Sequence, residues 1–129
     1  MLVPVNPSDT ARPGSRFNHG MAHSGGMRRL VISGQVGMRP DGSVPEDFEA
    51  QMEQAMDNLF AVLKAARMSV RDLVKMTVFV TRPDVLEAYR EIRDRKLAGH
   101  AIAMTYLQVV GLAKPVYLVE IEGEAVAQG

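Results

Sequence analysis

The feature that most constrains the fold is a change of apolar period in the middle of the chain. Apolar side chains recur at helical spacing from Phe48 to Ala66, and the segment LVKMTVFV at 73–80 then alternates between two faces. The first pattern predicts one amphipathic helix of about 20 residues, which Ser43 and Glu46 would open as a capping box. The second predicts a strand. A chain with both must bury a helix stripe against a sheet face.

A second helix follows the strand. Thr81 and Asp84 repeat the capping spacing, and Gly99 can end the helix from a left-handed conformation. Ser69 and Asp72 predict a short capped turn just before the strand. The basic residues of the second helix alternate with acids, so we expect them to be solvated; they are Arg90, Arg93, Arg95 and Lys96.

The remaining segments complete an α+β fold. We interpret 16–22 and 28–33 as a hairpin and expect the last strands near 101–109 and 116–126. Residues 1–129 are predicted to form a single domain with a mixed sheet of about six strands and two helices packed on one face. Residues 1–15, rich in Pro and Ser, are expected to form an irregular N-terminal arm.

Composition narrows the classes of partner. Lys plus Arg and Asp plus Glu both total 15, so no overall field favours nucleic acid or an anionic membrane. The chain has no cysteine, which excludes thiolate nucleophiles and cysteine metal sites. No apolar run approaches the roughly 20 residues that span a bilayer, and the first residues do not resemble a secretory leader. We therefore expect a cytoplasmic protein with no membrane or nucleic-acid partner.

The sheet face away from the helices predicts self-association. In the last strand Glu120 and its alternate neighbours are expected on that face, and in the strand before it Met104 and Tyr106 are expected there with Ile102 and Gln108. A monomer would expose large apolar groups beside acids. Burial against further copies of the chain is the better physical solution.

Ordered landmarks then carry a family resemblance. They are RFNH at 16–19, VISGQVG at 31–37, QMEQAMDNL at 51–59, DLVKMTVFVT at 72–81, GLAKP at 111–115 and LVEIE at 118–122. From about Asn6 to Val126 the sequence resembles the Rid (reactive intermediate deaminase, YjgF-like) family. The resemblance implies a chorismate mutase-like fold, a homotrimer built as a trimeric barrel, and ligand clefts between subunits. It also implies hydrolysis of reactive enamines and imines such as 2-iminopropanoate, in which an arginine binds the substrate carboxylate.

This chain departs from the family pattern at that arginine. The family has a run like His-Arg-Pro-Ala-Arg-Ser or Thr, and the corresponding letters here begin at His100 and place Met104 at the substrate-binding position. A thioether cannot pair with a carboxylate. Phe17 likewise stands where the family usually has a tyrosine. Three basic residues could replace the missing arginine across a subunit boundary: Arg28, Arg29 and Lys114. The default interpretation of each is an ordinary surface charge.

The resemblance implies a site with one catalytic acid and no metal or cofactor. The acid is Glu120; the ligand-binding residues are Phe17, Ser33, Gly34, Met104 and Tyr106; further candidates are His19, Gln35, His100, Gln108 and Lys114. For His100, capping of the preceding helix is an open alternative. The leading hypothesis is a homotrimer that binds a small metabolite in intersubunit clefts without the arginine-dependent deamination.

Two other functions stay open. The protein could be an enamine or imine deaminase, a hydrolase releasing ammonia, which uses another cation. It could also be a non-catalytic ligand-binding or interaction protein. Ribonuclease activity ranks last, because the sequence has no platform of aromatic and basic residues of the kind that binds single strands.

Overall fold

Six strands and two helices form an α+β fold in which the helices cover one face of a four-stranded sheet. The structure is a computed structural model that describes residues 2–8, 13 and 15–129. The strands are β1 Leu2–Val5, β2 Gly20–His23, β3 Met27–Val36, β4 Leu73–Val80, β5 Ala103–Gln108 and β6 Val119–Gln128. The helices are α1 Phe48–Ala65 and α2 Leu86–Leu97. The predicted fold class is confirmed.

The strands divide into two sheets instead of one. The main sheet has the order β3-β6-β4-β5, in which β4 and β5 are parallel and the other pairs antiparallel. Strands β1 and β2 form a separate antiparallel pair. The predicted hairpin between 16–22 and 28–33 is therefore wrong: β1 satisfies the backbone groups of β2, and β3 forms its long ladder with β6.

The predicted irregular arm is also wrong in part. Residues 2–5 are a strand, paired from Leu2 opposite His23 to Val5 opposite Gly20. Other residues of that arm, 1, 9–12 and 14, lie outside the described residues.

Helix α1 begins later than the predicted capping box. Its N-cap is Asp47, whose carboxylate accepts a hydrogen bond from the Ala50 backbone N–H at 3.0 Å. Ser43 is instead part of the preceding turn, where its hydroxyl donates to Asp41 at 2.6 Å. Because the Ser43 hydroxyl hydrogen-bonds within the turn, it does not cap the helix, and the Ser43 prediction is wrong.

The short turn before β4 is confirmed, but the predicted start of α2 is not. Ser69 and Asp72 form a reciprocal capping box on a 3₁₀ turn at Val70–Asp72. Helix α2 begins at Leu86, and its N-cap, Val85, has no polar side-chain atom that could cap the helix. Asp84 pairs instead with Arg82 at 3.3 Å.

The predicted orientation of β5 is wrong, and this matters for the site. In the parallel ladder Met104 lies opposite Met76 and Tyr106 opposite Val78. Met76 and Val78 are fully buried under the helices, so Met104 and Tyr106 face the helices too. Thr105 faces the open side, where it accepts a hydrogen bond from Lys75 at 2.6 Å.

The physical reason is that β5 has no polar face to mark its register. Both alternating sets of side chains in residues 101–109 are small or apolar, and a shift of one residue exchanges the two faces. Ile102, expected on the open face, is fully buried just before the strand begins. Gln108 is exposed at the end of the strand.

Candidate functional site

The catalytic and ligand-binding residues predicted from the sequence fall into two groups, one on β3 and β6 and the other beside β5. Strands β3 and β5 are the outer strands of the main sheet, with β6 and β4 between them. One group, which we call the glutamate group, consists of Ser33 and Gly34 on β3 and Glu120 on β6. The other, which we call the aromatic pocket, lies beside β5.

A bulge in β3 builds the glutamate group. The ladder pairs Ile32 with Gly123 and then Gln35 with Ile121, so Ser33 and Gly34 are not in the regular ladder. Bulges of this kind redirect the strand and free backbone groups beside functional sites. The side-chain amide of Gln35 donates to the Ser33 carbonyl oxygen at 3.1 Å.

Gly34 makes room for the carboxylate of Glu120. A Cβ at position 34 would overlap the Glu120 Oε2 atom, so only glycine allows the side chain to lie in this place without moving. Glu120 pairs with Phe79 across the β4–β6 ladder and is half-buried on the face away from the helices. The carboxylate therefore lies directly over the β3 backbone and remains accessible.

The aromatic pocket has a volume of about 250 Å³ and contains three predicted site residues. Its lining residues are Ser15, Phe17, Leu86, Tyr89, Arg90, Arg93, Met104 and Tyr106. Asn18 holds Phe17 against β5: its backbone N–H donates to the Ile102 carbonyl and its side-chain amide donates to the Ala101 carbonyl, both at 2.6 Å. The pocket is large enough for a small metabolite.

Helix α2 supplies the polar wall of the pocket. The Tyr89 and Tyr106 rings stack with centroids 4.5 Å apart, and the Arg93 guanidinium lies 5.3 Å from the Tyr89 ring centroid. Arg93 is 2% exposed, and its Nε bonds Asp94 at 2.9 Å. Among the described residues, neither Arg93 Nη2 nor the Tyr89 hydroxyl has a hydrogen-bond partner of ordinary geometry.

Burial also raises the pKa values of the two tyrosines in the pocket. It raises the pKa of Tyr89, and the nearby charge of Arg93 partly offsets this. Burial raises the pKa of Tyr106 as well, against an opposing effect of Arg90. Both hydroxyls therefore remain protonated at neutral pH and can donate hydrogen bonds to a ligand.

Arg93 was missed by the sequence interpretation, which placed it on a solvated helix face. The structure contradicts that expectation for Arg93 alone among the four basic residues: Arg90, Arg95 and Lys96 all have side chains between 19% and 50% exposed. A signal was present, because residues 89, 93 and 97 are spaced by four and share one helix face. Tyr89 and Leu97 on that face are buried.

The further candidates lie elsewhere. His19 is exposed, with its ring edge-on to Phe17 at 5.8 Å. The His100 Nε2 atom is 2.8 Å from the Leu73 carbonyl oxygen at the start of β4. Lys114 is exposed beside a separate shallow pocket that includes Thr81.

The cations proposed as replacements are occupied at the β3 edge. Arg28 donates to the backbone carbonyls of Gln128 and Ala66, at 3.3 Å and 3.1 Å. Arg29 pairs with Glu124 at 3.1 Å. Within one chain, therefore, neither lies beside Met104, which is on the opposite edge.

The described ranges contain no group of three or more side chains suited to a metal ion. In the same part of the chain, neither helix has the length and apolar character needed to cross a membrane.

Known proteins match both the sequence and this fold. The profile described as Endoribonuclease L-PSP matches residues 9–127. The chain belongs to this family. A curated relative, 2-iminobutanoate/2-iminopropanoate deaminase of Escherichia coli K12, is 33% identical over 99 residues, 76% of this chain and 77% of the relative. The resemblance to the Rid family is confirmed.

Solved structures of related proteins have the same fold as this chain. A Rid-family protein of unknown function from Yersinia pestis, YyfB, superposes with a TM-score of 0.85 at 30% identity, over 96% of this chain and 97% of its own. E. coli TdcF, solved with bound serine, gives a TM-score of 0.72 at 29% identity, over 95% and 94% of the two chains. These relatives establish the fold of the family for this chain.

Proposed function

We propose that the protein is a homotrimer that binds a small metabolite in clefts between copies, each cleft combining the glutamate group of one copy with the aromatic pocket of another. The observation that carries the proposal is the placement of the two groups on different strands and on opposite faces of the sheet. Glu120 lies two strand spacings from β5, about 10 Å, and its side chain is on the face away from the helices. Met104 and Tyr106 face the helices, so one small ligand cannot touch both groups within one chain. A second copy supplies the missing half.

We further propose that the reaction in this cleft is imine or enamine hydrolysis. The curated relative's name supports the class of reaction. The chain cannot use residue 104 to bind a carboxylate, but the aromatic pocket contains two other guanidinium groups, those of Arg90 and Arg93. This observation favours the deaminase alternative over a site that has lost its cation.

Glu120 is suited to activate the water. As the water oxygen bonds to the imine carbon, the carboxylate accepts a proton from that water, and the C=N bond becomes a C–N bond. That proton passes to nitrogen and gives a carbinolamine. The hydroxyl of the carbinolamine then loses its proton to the nitrogen through the same carboxylate, the C–N bond breaks, and ammonia leaves as the carbonyl forms. One imine and one water give one carbonyl compound and one ammonia.

The test generates 2-iminopropanoate in situ with an amino-acid oxidase and follows its decay. Wild type is expected to accelerate the decay, and Glu120→Gln to reduce the acceleration by about 100-fold or more, as loss of a general base does. Glu122→Gln is the matched control, because Glu122 is an exposed acid two residues along the same strand face. Equal activity of both variants would contradict the role of Glu120.

Sedimentation tests the assembly. A trimer at micromolar concentration is expected. A stable folded monomer that still hydrolyses the imine would contradict the shared cleft. A trimer that binds 2-oxo acids but leaves imine decay unchanged would favour the non-catalytic ligand-binding alternative.

A further inference from the structure

We propose that the Arg93 guanidinium is the anion-binding group of the aromatic pocket and selects ligands that carry a carboxylate. The inference rests on the proposed function, because the pocket must be half of the cleft. It assigns carboxylate binding to a residue of helix α2, whereas the resemblance implies that residue 104 of β5 would have this role.

Helix and strand geometry bring Arg93 opposite Met104. Helix α2 connects the parallel strands β4 and β5, so it runs antiparallel to both. From Tyr89 to Arg93 the helix rises about 6 Å, and from Tyr106 back to Met104 the strand covers about 6.6 Å. Because the Tyr89 and Tyr106 rings stack, the next pair along, Arg93 and Met104, must also come together. Both residues line the same pocket.

The free hydrogen-bonding capacity of Arg93 points to a ligand. The side chain is almost fully buried, yet in the described part of the chain only Nε has an ion-pair partner, Asp94, and Nη2 has no acceptor. A buried donor without an acceptor is costly, and native proteins rarely tolerate one without a reason. The Tyr89 hydroxyl is close enough to Arg93 for that side chain to lower its pKa, but within the described residues it has no hydrogen bond of ordinary geometry. Two such groups on one wall of one pocket match the two oxygens of a carboxylate.

The charges around the pocket favour a single negative group. Arg90 and Arg93 are the charged residues among those that line it. The acids nearest to them, Glu87 and Asp94, pair with them from outside the lining, at 3.4 Å and 2.9 Å. Asp94 offsets one of the positive charges. The second positive charge, on Arg90, is only loosely paired with an exposed carboxylate.

Methionine at position 104 fits this arrangement. An arginine there would add a third guanidinium group to a half-buried pocket that already contains those of Arg90 and Arg93, which is unfavourable. The thioether is uncharged and flexible, and it leaves space beside Arg93 for a ligand. The loss of charge at 104 and its presence at 93 therefore compensate each other.

The test measures binding, so it does not depend on turnover. The protein is labelled at its methionine methyl groups, and the Met104 signal is assigned from Met104→Leu. The probes are 2-oxobutanoate and its neutral amide, 2-oxobutanamide, which differ only in the charged group. Wild type is expected to bind the carboxylate at least about tenfold more tightly than the amide, the lower range for a charge-assisted contact.

Three variants follow. Arg93→Met is expected to remove that preference, and the double swap Arg93→Met with Met104→Arg to restore it, because the charge returns to the pocket from the strand. The double swap lacks Met104, so its binding is followed from the methyl signal of the methionine introduced at position 93. Arg95→Met is the matched control: Arg95 is on the same helix, half exposed, and pairs with Glu53 at 2.9 Å. It is expected to bind like wild type. Circular dichroism and sedimentation show which variants are folded.

The outcomes separate this inference from the proposed function. Equal binding of acid and amide by wild type, or an unchanged preference in folded Arg93→Met, would overturn the role of Arg93 while the cleft stands. If neither probe moves the Met104 signal, both proposals fail. If Arg93→Met does not fold, the wild-type comparison of the two probes and the double swap still decide.

Discussion

Gln51 holds the segment that leads into the Glu120 strand, and its replacement gives the sharpest test of the fold. The side chain is fully buried on α1. Its Nε2 donates to the carbonyls of Pro45 and Val116, and its Oε1 accepts from the Leu118 backbone N–H, each at 2.8 Å. Gly37 packs so closely on the Gln51 backbone that a Cβ there would lie 2.5 Å from its carbonyl oxygen.

Gln51→Met keeps the size of the side chain and removes all three hydrogen bonds. At about 1 kcal/mol net for each bond, the expected loss in free energy of unfolding is about 3 kcal/mol, and more if the buried partners find no water. This is a large fraction of the roughly 5–15 kcal/mol that stabilises a domain. The measurement is urea unfolding at fixed protomer concentration, because an oligomer's stability depends on that concentration.

Gln54→Met is the control. Gln54 is one turn along the same helix and half-buried, and its amide donates to Asn58 at 2.9 Å. The expected loss there is about 1 kcal/mol or less. If Gln51→Met and Gln54→Met unfold at the same urea concentration, the network around Gln51 does not stabilise the fold as argued.

Three further predictions concern the two groups of the site. Gly34→Ala should displace the Glu120 carboxylate and reduce imine hydrolysis at least about tenfold while urea unfolding changes by less than about 1 kcal/mol; unchanged activity would refute the contact. Burial raises the pKa of the Tyr89 hydroxyl, so as pH rises this hydroxyl ionises in the unfolded chain before it ionises in the folded one. Its contribution to the free energy of unfolding is therefore full below about pH 10 and is lost as pH rises further. Tyr89→Phe should therefore make the free energy of unfolding fall less steeply with pH above about pH 10, and an unchanged slope would contradict the role of Tyr89. Met104→Arg alone should lower the melting temperature and leave the activity no higher than wild type, because the new arginine faces Arg93; a gain in both would show that the pocket tolerates a third positive charge.

The sequence allowed the fold class to be predicted for a physical reason, whereas the site residues came from the resemblance and stay predictions. From Val74 onward, strand β4 alternates between two faces, of which only one carries polar residues, so the sequence alone predicts which of its faces is buried. Glu120 and Gly34 came from the resemblance, and the structure places them in contact. The orientation of Met104 was wrong because β5 lacks a polar face, and only its partner strand fixes its register.

Arg93 could not be found from charge patterning. An arginine that alternates with acids on a helix is solvated in most proteins, and the sequence does not reveal which turn of the helix meets the sheet. Only the stacking of Tyr89 on Tyr106 establishes that register. Spacing by four residues from Tyr89 was the signal available, and it needed the tertiary contact to be interpreted.

The separation of the glutamate group from the aromatic pocket has a genetic consequence. If each cleft takes one half from each of two neighbouring chains, a chain defective in both halves damages the clefts on both of its sides. In a cell that makes normal and defective chains equally, about a quarter of the clefts would have two sound halves, although half of the chains are normal. Such an allele would be partly dominant, whereas one that only prevents folding would be recessive.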